Sequence, residues 1–118
     1  TTMIIAIQAT KGFSDYAIFL RAMRTSLASM QEDDKDIFIY SAGPATLNSQ
    51  ATEFANVSER SLRARGYKIQ VRKVPPAWIK DNIDFIDHFA FFSLPKEPVS
   101  DAVEWAQERD AEVLIYRY

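Results

Sequence analysis

Continuous apolar runs recur along the chain and predict the strands of a buried sheet. Residues 3–7 (MIIAI), 37–41 (IFIYS), 88–94 (HFAFFSL) and 112–116 (EVLIY) are short and mostly apolar, which suits strands covered on both faces, as in a parallel sheet. Residues 67–74 (YKIQVRKV) instead alternate between apolar and polar positions, which is typical of a strand covered on one face. We therefore predict five strands, with the alternating third strand near an edge.

Between the strands, apolar residues recur at three- and four-residue spacing, which predicts helices with one apolar face. Ser14 is a candidate N-cap of the first helix, because its hydroxyl can accept from a free amide of the first turn. Gly66 is placed to end the second helix in the left-handed conformation, and Pro98 suits the first turn of the last helix. The helices are expected at residues 14–30, 47–62, 77–87 and 98–106.

The order of these elements predicts a small doubly wound α/β domain that spans residues 1–118. Because helices separate the strands, we expect a five-stranded parallel sheet in the spatial order 3-2-1-4-5, flanked by helices on both faces. This is a Rossmann-like architecture with the first strand at its centre. Its interior should contain Ile4, Ile5, Ile39, Phe91 and Leu114.

Composition and charge narrow the function classes. The 118 residues include 14 basic and 16 acidic ones, and this near balance argues against a protein that coats nucleic acid. The chain has no cysteine, which rules out disulfides and thiolate metal sites and fits a cytoplasmic protein. Its apolar stretches fall far short of the roughly 20 residues that span a membrane. Thr1 and Thr2 precede Met3, which we take as the natural start.

The single histidine, His88, has no second histidine or cysteine to complete a metal site, so we expect neither a bound metal nor a Ser-His-Asp nucleophile. Asp81, Asp84 and Asp87 are spaced by three, and a helix would place them together on a solvated face.

Three loops should meet beyond the carboxyl ends of the strands, where doubly wound domains bind ligands. Amides near Gly12, aided by the Lys11 ammonium, could hold an anion at a helix start; an ordinary strand-to-helix turn is the competing interpretation. Small and hydrogen-bonding side chains in the second loop suit a ribose or a base edge, and Asn48 or Ser49 could also cap the following helix. The candidate ligand-binding residues are Lys11, Gly12, Phe13, Ser14, Gly43, Thr46, Asn48, Ser93, Pro95, Lys96 and Glu97.

The loops also carry a family resemblance. Residues 11–16 (KGFSDY) follow a strand and are similar to a Gly-Gly-Arg-Asp-Phe-Thr-Asp-Tyr motif, and residues 42–46 (AGPAT) are similar to a second glycine-rich turn. Asn82 and Pro95 fall on an Asn and a Pro of two further motifs. In order and spacing, nearly the whole chain resembles the YspA-like, DUF2493-type branch of the SLOG superfamily of small Rossmann-like domains. The resemblance implies a nucleotide or nucleotide-derived ligand and no additional cofactor.

The third loop departs from this family. Where the family has Pro-Gly-Gly-x-Gly-Thr, residues 95–100 are PKEPVS, and the Glu97 carboxylate would repel a phosphate unless a lysine compensates. Related phosphoribohydrolases carry a catalytic glutamate shortly after that threonine. Glu104 stands one position late, and one helical step turns a side chain by about 100°. The resemblance therefore implies the fold and binding more strongly than catalysis.

Three functional hypotheses follow. The first is a nucleotide-binding domain that uses the three loops without catalysis. The second is a degenerate member that acts through protein contacts, such as a homodimer anchored by Trp78 and Trp105, although both tryptophans could instead cover the domain's own core. The third is an N-glycosidic hydrolase that uses Glu97 or Glu104.

Overall fold

A computed structural model describes residues 1–109 and 111–118. The strands are β1 (Thr2–Ala9), β2 (Asp36–Ser41), β3 (Lys68–Lys73), β4 (His88–Ser93) and β5 (Glu112–Arg117). The helices are α1 (Tyr16–Ala28), α2 (Ala45–Ala64), α3 (Pro76–Asp81) and α4 (Asp101–Glu108), with a 3-10 turn at Ile83–Phe85. None of the helices within these residues is long and apolar enough to cross a membrane.

All five strands are parallel, in the order β3-β2-β1-β4-β5, as the apolar pattern predicts. The first strand is central, and the alternating third strand is an edge strand. Ile5 of β1 lies beside Ile39 of β2 and His88 of β4. The architecture is a Rossmann-like α/β sheet, so the carboxyl ends of all five strands lie along one edge.

Two apolar layers cover the sheet. On one face, the odd-numbered residues of β1 pack with Phe19 of α1 and Phe54 of α2. On the other face, Ala6 of β1 packs with Ile79 of α3 and Val103 of α4. Because successive side chains of a strand alternate between faces, Gln8 points to the α3–α4 side at the carboxyl end of β1.

The predicted interior is correct for three of its five residues. Ile5, Ile39 and Phe91 are buried, whereas Ile4 and Leu114 are only half-buried. Leu114 is less buried because β5 is an edge strand with a neighbour on one side only. Ile4, near the amino end of β1, packs against the α3–α4 layer as a partly buried residue.

Two predicted caps are wrong by a residue or more. Asp15, not Ser14, caps α1, and its carboxylate accepts from the Ile18 amide at 3.1 Å. Both residues are of a capping type, and the position of the helix start decides between them. Asn48 and Ser49 lie inside α2 because that helix begins at Ala45.

Two further boundaries also differ from prediction, although Gly66 does end α2 with a φ of +88°, as expected. Pro98 lies outside α4, whose cap is Ser100. The expected helix at 77–87 is divided into α3 and the 3-10 turn, so Asp81, Asp84 and Asp87 are exposed but do not share one helical face.

Candidate functional site

The three predicted loops do meet at the carboxyl edge of the sheet. The Ala9 amide donates to the Gly43 carbonyl at 3.1 Å, which ties the first loop to the second. The Thr10 amide donates to the Phe92 carbonyl at 2.9 Å, which ties the first loop to the end of β4. Parallel strands place these segments side by side, so their proximity follows from the strand order.

The first loop is built as a tight turn. The Phe13 amide donates to the Thr10 carbonyl at 3.2 Å, and Gly12 has a φ of +90°. This combination is typical of a type II turn, in which the third residue needs a positive φ. Lys11 and Gly12 are exposed at its tip, whereas the Phe13 amide is already used by the turn.

Phe13 belongs to the core rather than to the loop surface. Its side chain is fully buried, and its ring centre lies 4.7 Å from that of Phe92 and 4.8 Å from that of Tyr118. Its side chain therefore has no access to a ligand, although the sequence had placed Phe13 among the candidate ligand-binding residues. Ser14 is exposed and makes no cap.

The start of α1 carries a negative side chain of its own. The Asp15 carboxylate occupies the Ile18 amide, which is one of the donors that an anion would need. A phosphate at this helix end would also meet the repulsion of that carboxylate. The predicted anion site between Gly12 and Ser14 is therefore weaker than the sequence suggests.

The second loop leads into a helix start without such a carboxylate. Its Gly43 has a φ of +93°, and the Gly43–Pro44 peptide is cis. Thr46 Oγ1 donates to the Phe13 carbonyl at 2.7 Å, and Asn48 Oδ1 accepts from the Ser41 hydroxyl. Thr46 therefore joins the second loop to the first, and Asn48 ties the start of α2 back to the end of β2. The start of α2 has no capping side chain and no acidic residue in its first turn.

The third loop is held by the end of β5. Ser93 is buried, and Arg117 Nη1 donates to its hydroxyl oxygen at 2.8 Å. The same nitrogen donates to the carbonyls of Leu94 and Glu97, each at 2.9 Å. The exposed candidates Pro95, Lys96 and Glu97 are thus presented on a pinned loop.

Two residues that hold the loops at this edge were not identified from the sequence. Arg117 pins the third loop, and the Tyr118 hydroxyl shares a hydrogen bond with Thr10 Oγ1 of the first loop. A fifth parallel strand must also end at this edge, so the polar and aromatic residues after LIY were an available signal.

A small cavity lies at the same edge, on the α3–α4 side. Its volume is about 210 Å³, and its wall includes Gln8, Pro76, Ser100, Asp101 and Trp105. The Ser100 hydroxyl donates to Gln8 Oε1 at 2.8 Å, which leaves the amide nitrogen of Gln8 as a donor. Gln8 was not identified from the sequence, although a polar residue at the end of an apolar strand could have indicated it.

The structure does not bring the predicted catalytic glutamates to this cavity. Asp101 and Glu104 both lie in the first turn of α4. Glu97 and Glu104 are exposed, and neither lines the cavity beside Gln8. The first turn of α4 is consequently a poor place for a phosphate and a better one for hydroxyl or amine donors.

His88 lies at the opposite, amino edge of the sheet. Its Nε2 is 2.8 Å from the Ser29 hydroxyl and 3.6 Å from a carboxylate oxygen of Glu112. Both neighbours face the same ring nitrogen, whereas a catalytic triad needs them on different nitrogens. Within the described residues, no cluster of three or more potential ligands could hold a metal ion.

The two tryptophans both cover the α3–α4 layer. Trp78 stacks on Tyr40 with ring centres 4.1 Å apart, and the Lys80 ammonium lies 5.0 Å from the centre of the Trp105 ring. Both tryptophans are half-buried against the core. Contacts within the domain therefore explain the partial burial of both tryptophans without a partner chain.

No protein family model, curated protein or solved structure matches this chain. The family likeness therefore rests on the motif residues alone. The site must be interpreted from its own geometry, and a Rossmann-like fold by itself does not identify a ligand.

Proposed function

We propose that the carboxyl edge of the sheet binds a phosphate-bearing small molecule, such as a nucleotide or a nucleotide derivative, without catalysing a reaction. The observation that carries the proposal is the contrast among the three longer helices. The starts of α1 and α4 hold acidic side chains, whereas the start of α2 has neither a capping side chain nor an acid. Free amides and the positive end of the helix dipole favour an anion at α2.

Positive side chains support this assignment. Lys11 is exposed on the first-loop turn. This turn is held against α2, because the Thr46 hydroxyl of α2 donates to the Phe13 carbonyl. Lys73 is exposed at the end of β3. Because side chains alternate along a strand, Lys73 lies on the same face of the sheet as Val71, which packs against the α1–α2 layer. Both ammonium groups therefore belong to the part of the edge that surrounds the start of α2.

The cavity beside Gln8 suits the uncharged part of such a ligand. The Gln8 amide and the Ser100 hydroxyl provide donors and acceptors, and the Asp101 carboxylate can accept from sugar hydroxyls. A volume of about 210 Å³ is below the usual range for a whole drug-sized ligand. We therefore assign it to one ring of the ligand rather than to the complete molecule.

Calorimetric titration with inorganic phosphate, ADP and a nucleotide sugar tests this function. We expect Lys11→Ala to weaken ADP binding about fivefold, since one exposed charge near a helix start is worth about 1 kcal/mol. Lys35→Ala is the matched control, because Lys35 is exposed just before β2, at the opposite edge of the sheet. Absence of heat with all three compounds, or equal losses in the two variants, would refute the proposal.

Action through protein contacts is the second candidate, and one observation favours it. Tyr118 bonds to Thr10 of the first loop and Arg117 to the Glu97 carbonyl of the third, so these polar groups are already paired within the chain. In this case a homodimer should form in solution. Sedimentation at high micromolar concentration, with a monomer as the result that contradicts it, separates this candidate from ligand binding.

A further inference from the structure

The basic residues of the chain are unevenly distributed. Residues 60–80 contain seven of the 14 lysines and arginines and no aspartate or glutamate, in a chain whose formal net charge is −2. This segment covers the end of α2, all of β3 and most of α3. The sheet edge formed by β3 is therefore positively charged, although the protein as a whole is slightly acidic.

The same edge offers unpaired backbone groups. The Lys68 amide donates to the Lys35 carbonyl and the Val74 amide to the Ser41 carbonyl, each at 2.9 Å, so both point inward to the β2 side. Backbone groups alternate in direction along a strand, and those of Ile69 and Val71 consequently point away from the sheet. β3 is an outer strand, so these groups form a free ladder.

A groove runs beside this ladder, between α2 and β3. It consists of two cavities of about 230 and 240 Å³ that share Glu59 and Ile69 in their walls. Ala55 and Val71 line the first cavity, and Tyr67 lines the second. We call this feature the α2–β3 groove. Such neighbouring cavities could take alternate side chains of an extended chain.

We propose that the β3 edge binds an extended acidic peptide segment of a partner protein, which adds to the sheet as a sixth strand. The free ladder would pair with the peptide backbone, and the α2–β3 groove would take its apolar side chains. Lys68 and Arg72 are exposed on β3 and would face its carboxylates. Glu59, the acid in the groove wall, is paired with Arg63 and repels the peptide less than a free carboxylate.

Charge and backbone geometry together select this occupant. A second copy of the chain would bring another basic β3 to this edge, and the like charges would repel. A nucleic acid would use the basic side chains but would leave the outward backbone ladder and the apolar floor of the groove without a role. An acidic peptide with alternating apolar residues uses all three features.

Fluorescence anisotropy with the full chain and a labelled (Asp-Val)₄ peptide tests the proposal. We expect binding that weakens at least tenfold in the double variant Lys68→Glu/Arg72→Glu. Arg21→Glu/Arg24→Glu, an equivalent double charge reversal at exposed positions of α1, should leave binding within twofold of wild type. Unchanged binding in the double variant, or no binding to the wild-type protein, would overturn the proposal.

Two further arms separate strand addition from charge attraction alone. An Asp₄Val₄ block peptide of the same composition, and a single-stranded oligothymidylate, should both bind at least tenfold more weakly than the alternating peptide. Equal or tighter binding by either one would contradict the peptide mode. Ala55→Phe should fill the groove and weaken alternating-peptide binding, and a thermal melt establishes that this variant is folded.

Amide hydrogen exchange provides a readout for the backbone. The bound peptide should slow exchange at Ile69 and Val71, whose amides point outward, and should change Gln70 and Arg72 little, since β2 already protects them. Equal protection at all four residues, or none at Ile69 and Val71, would mean that the peptide lies elsewhere.

Discussion

Replacement of Phe13 by alanine distinguishes a structural first loop from a loop that is available to a ligand. Phe13 lies between the exposed turn at Lys11–Gly12 and the start of α1, yet its ring is fully buried. It packs against Phe92 of β4 and against Tyr118, which follows β5. The substitution would remove the aromatic contact among these three segments.

The expected loss of stability is about 4 kcal/mol. Truncation of a buried phenylalanine to alanine typically costs about 3–5 kcal/mol, because apolar contacts are lost and a cavity is left. The two ring pairs, with centres 4.7 and 4.8 Å apart, keep the expected loss of Phe13→Ala away from the lower end of that range. Small domains have a free energy of unfolding of about 5–15 kcal/mol, so the variant should still fold but with a much smaller free energy of unfolding.

Guanidinium denaturation followed by far-ultraviolet circular dichroism measures this loss. Phe85→Ala is the matched control, since Phe85 is 69 % exposed and its truncation should change the free energy of unfolding by less than about 0.5 kcal/mol. A Phe13→Ala loss below about 1 kcal/mol, or a loss equal to that of Phe85→Ala, would refute the assignment of Phe13 to the core.

Two other predictions concern single residues. Gly12→Ala should lower the free energy of unfolding by about 1 kcal/mol in a denaturant melt, because Gly12 has a φ of +90°, and Gly12→Asn should lower it less. The space around Gly12 is open, so a steric clash cannot be the cause. Equal stability of all three proteins would contradict the turn. Hydrogen bonds from Thr1 Oγ1 and the Gln31 amide hold the pKa of Asp34 below its usual value of 3.8. This carboxylate therefore stabilises the fold above that value, and its contribution disappears as the pH falls through the lowered pKa. The stability difference between wild type and Asp34→Asn should accordingly shrink below about pH 4 in melts from pH 7 to pH 2, and a constant difference would contradict the assignment.

The sequence also predicted which loops would meet, but not what their residues would do. Lys11 and Gly12 are exposed as the ligand hypothesis required, whereas the neighbouring Phe13 is buried. The local pattern KGFSDY does not distinguish a phenylalanine that faces solvent from one that enters the core. The difference depends on the gap left between Phe92 and Tyr118, and these residues lie far away along the chain.

The amino-acid sequence by itself determined the class, the strand order and the parallel direction of the sheet. Strands covered on both faces need continuous apolar runs, an edge strand tolerates alternation, and intervening helices require parallel neighbours. These constraints act on local composition and on the order of elements, so residues such as Ile5 and Ile39 could be placed in the core directly from the pattern.

Only the tertiary structure decided which polar groups remain free at the carboxyl edge of the sheet and along β3. Asp15 occupies an amide of α1, Arg117 binds carbonyls of the third loop, and Tyr118 bonds to Thr10, which is 108 positions away in the sequence. The basic segment at residues 60–80 is visible in the sequence, but the groove beside it between α2 and β3 is seen only in the structure. Such pairings depend on strand register and on the direction of individual side chains, which bring distant segments into contact, and no local pattern of residues encodes them.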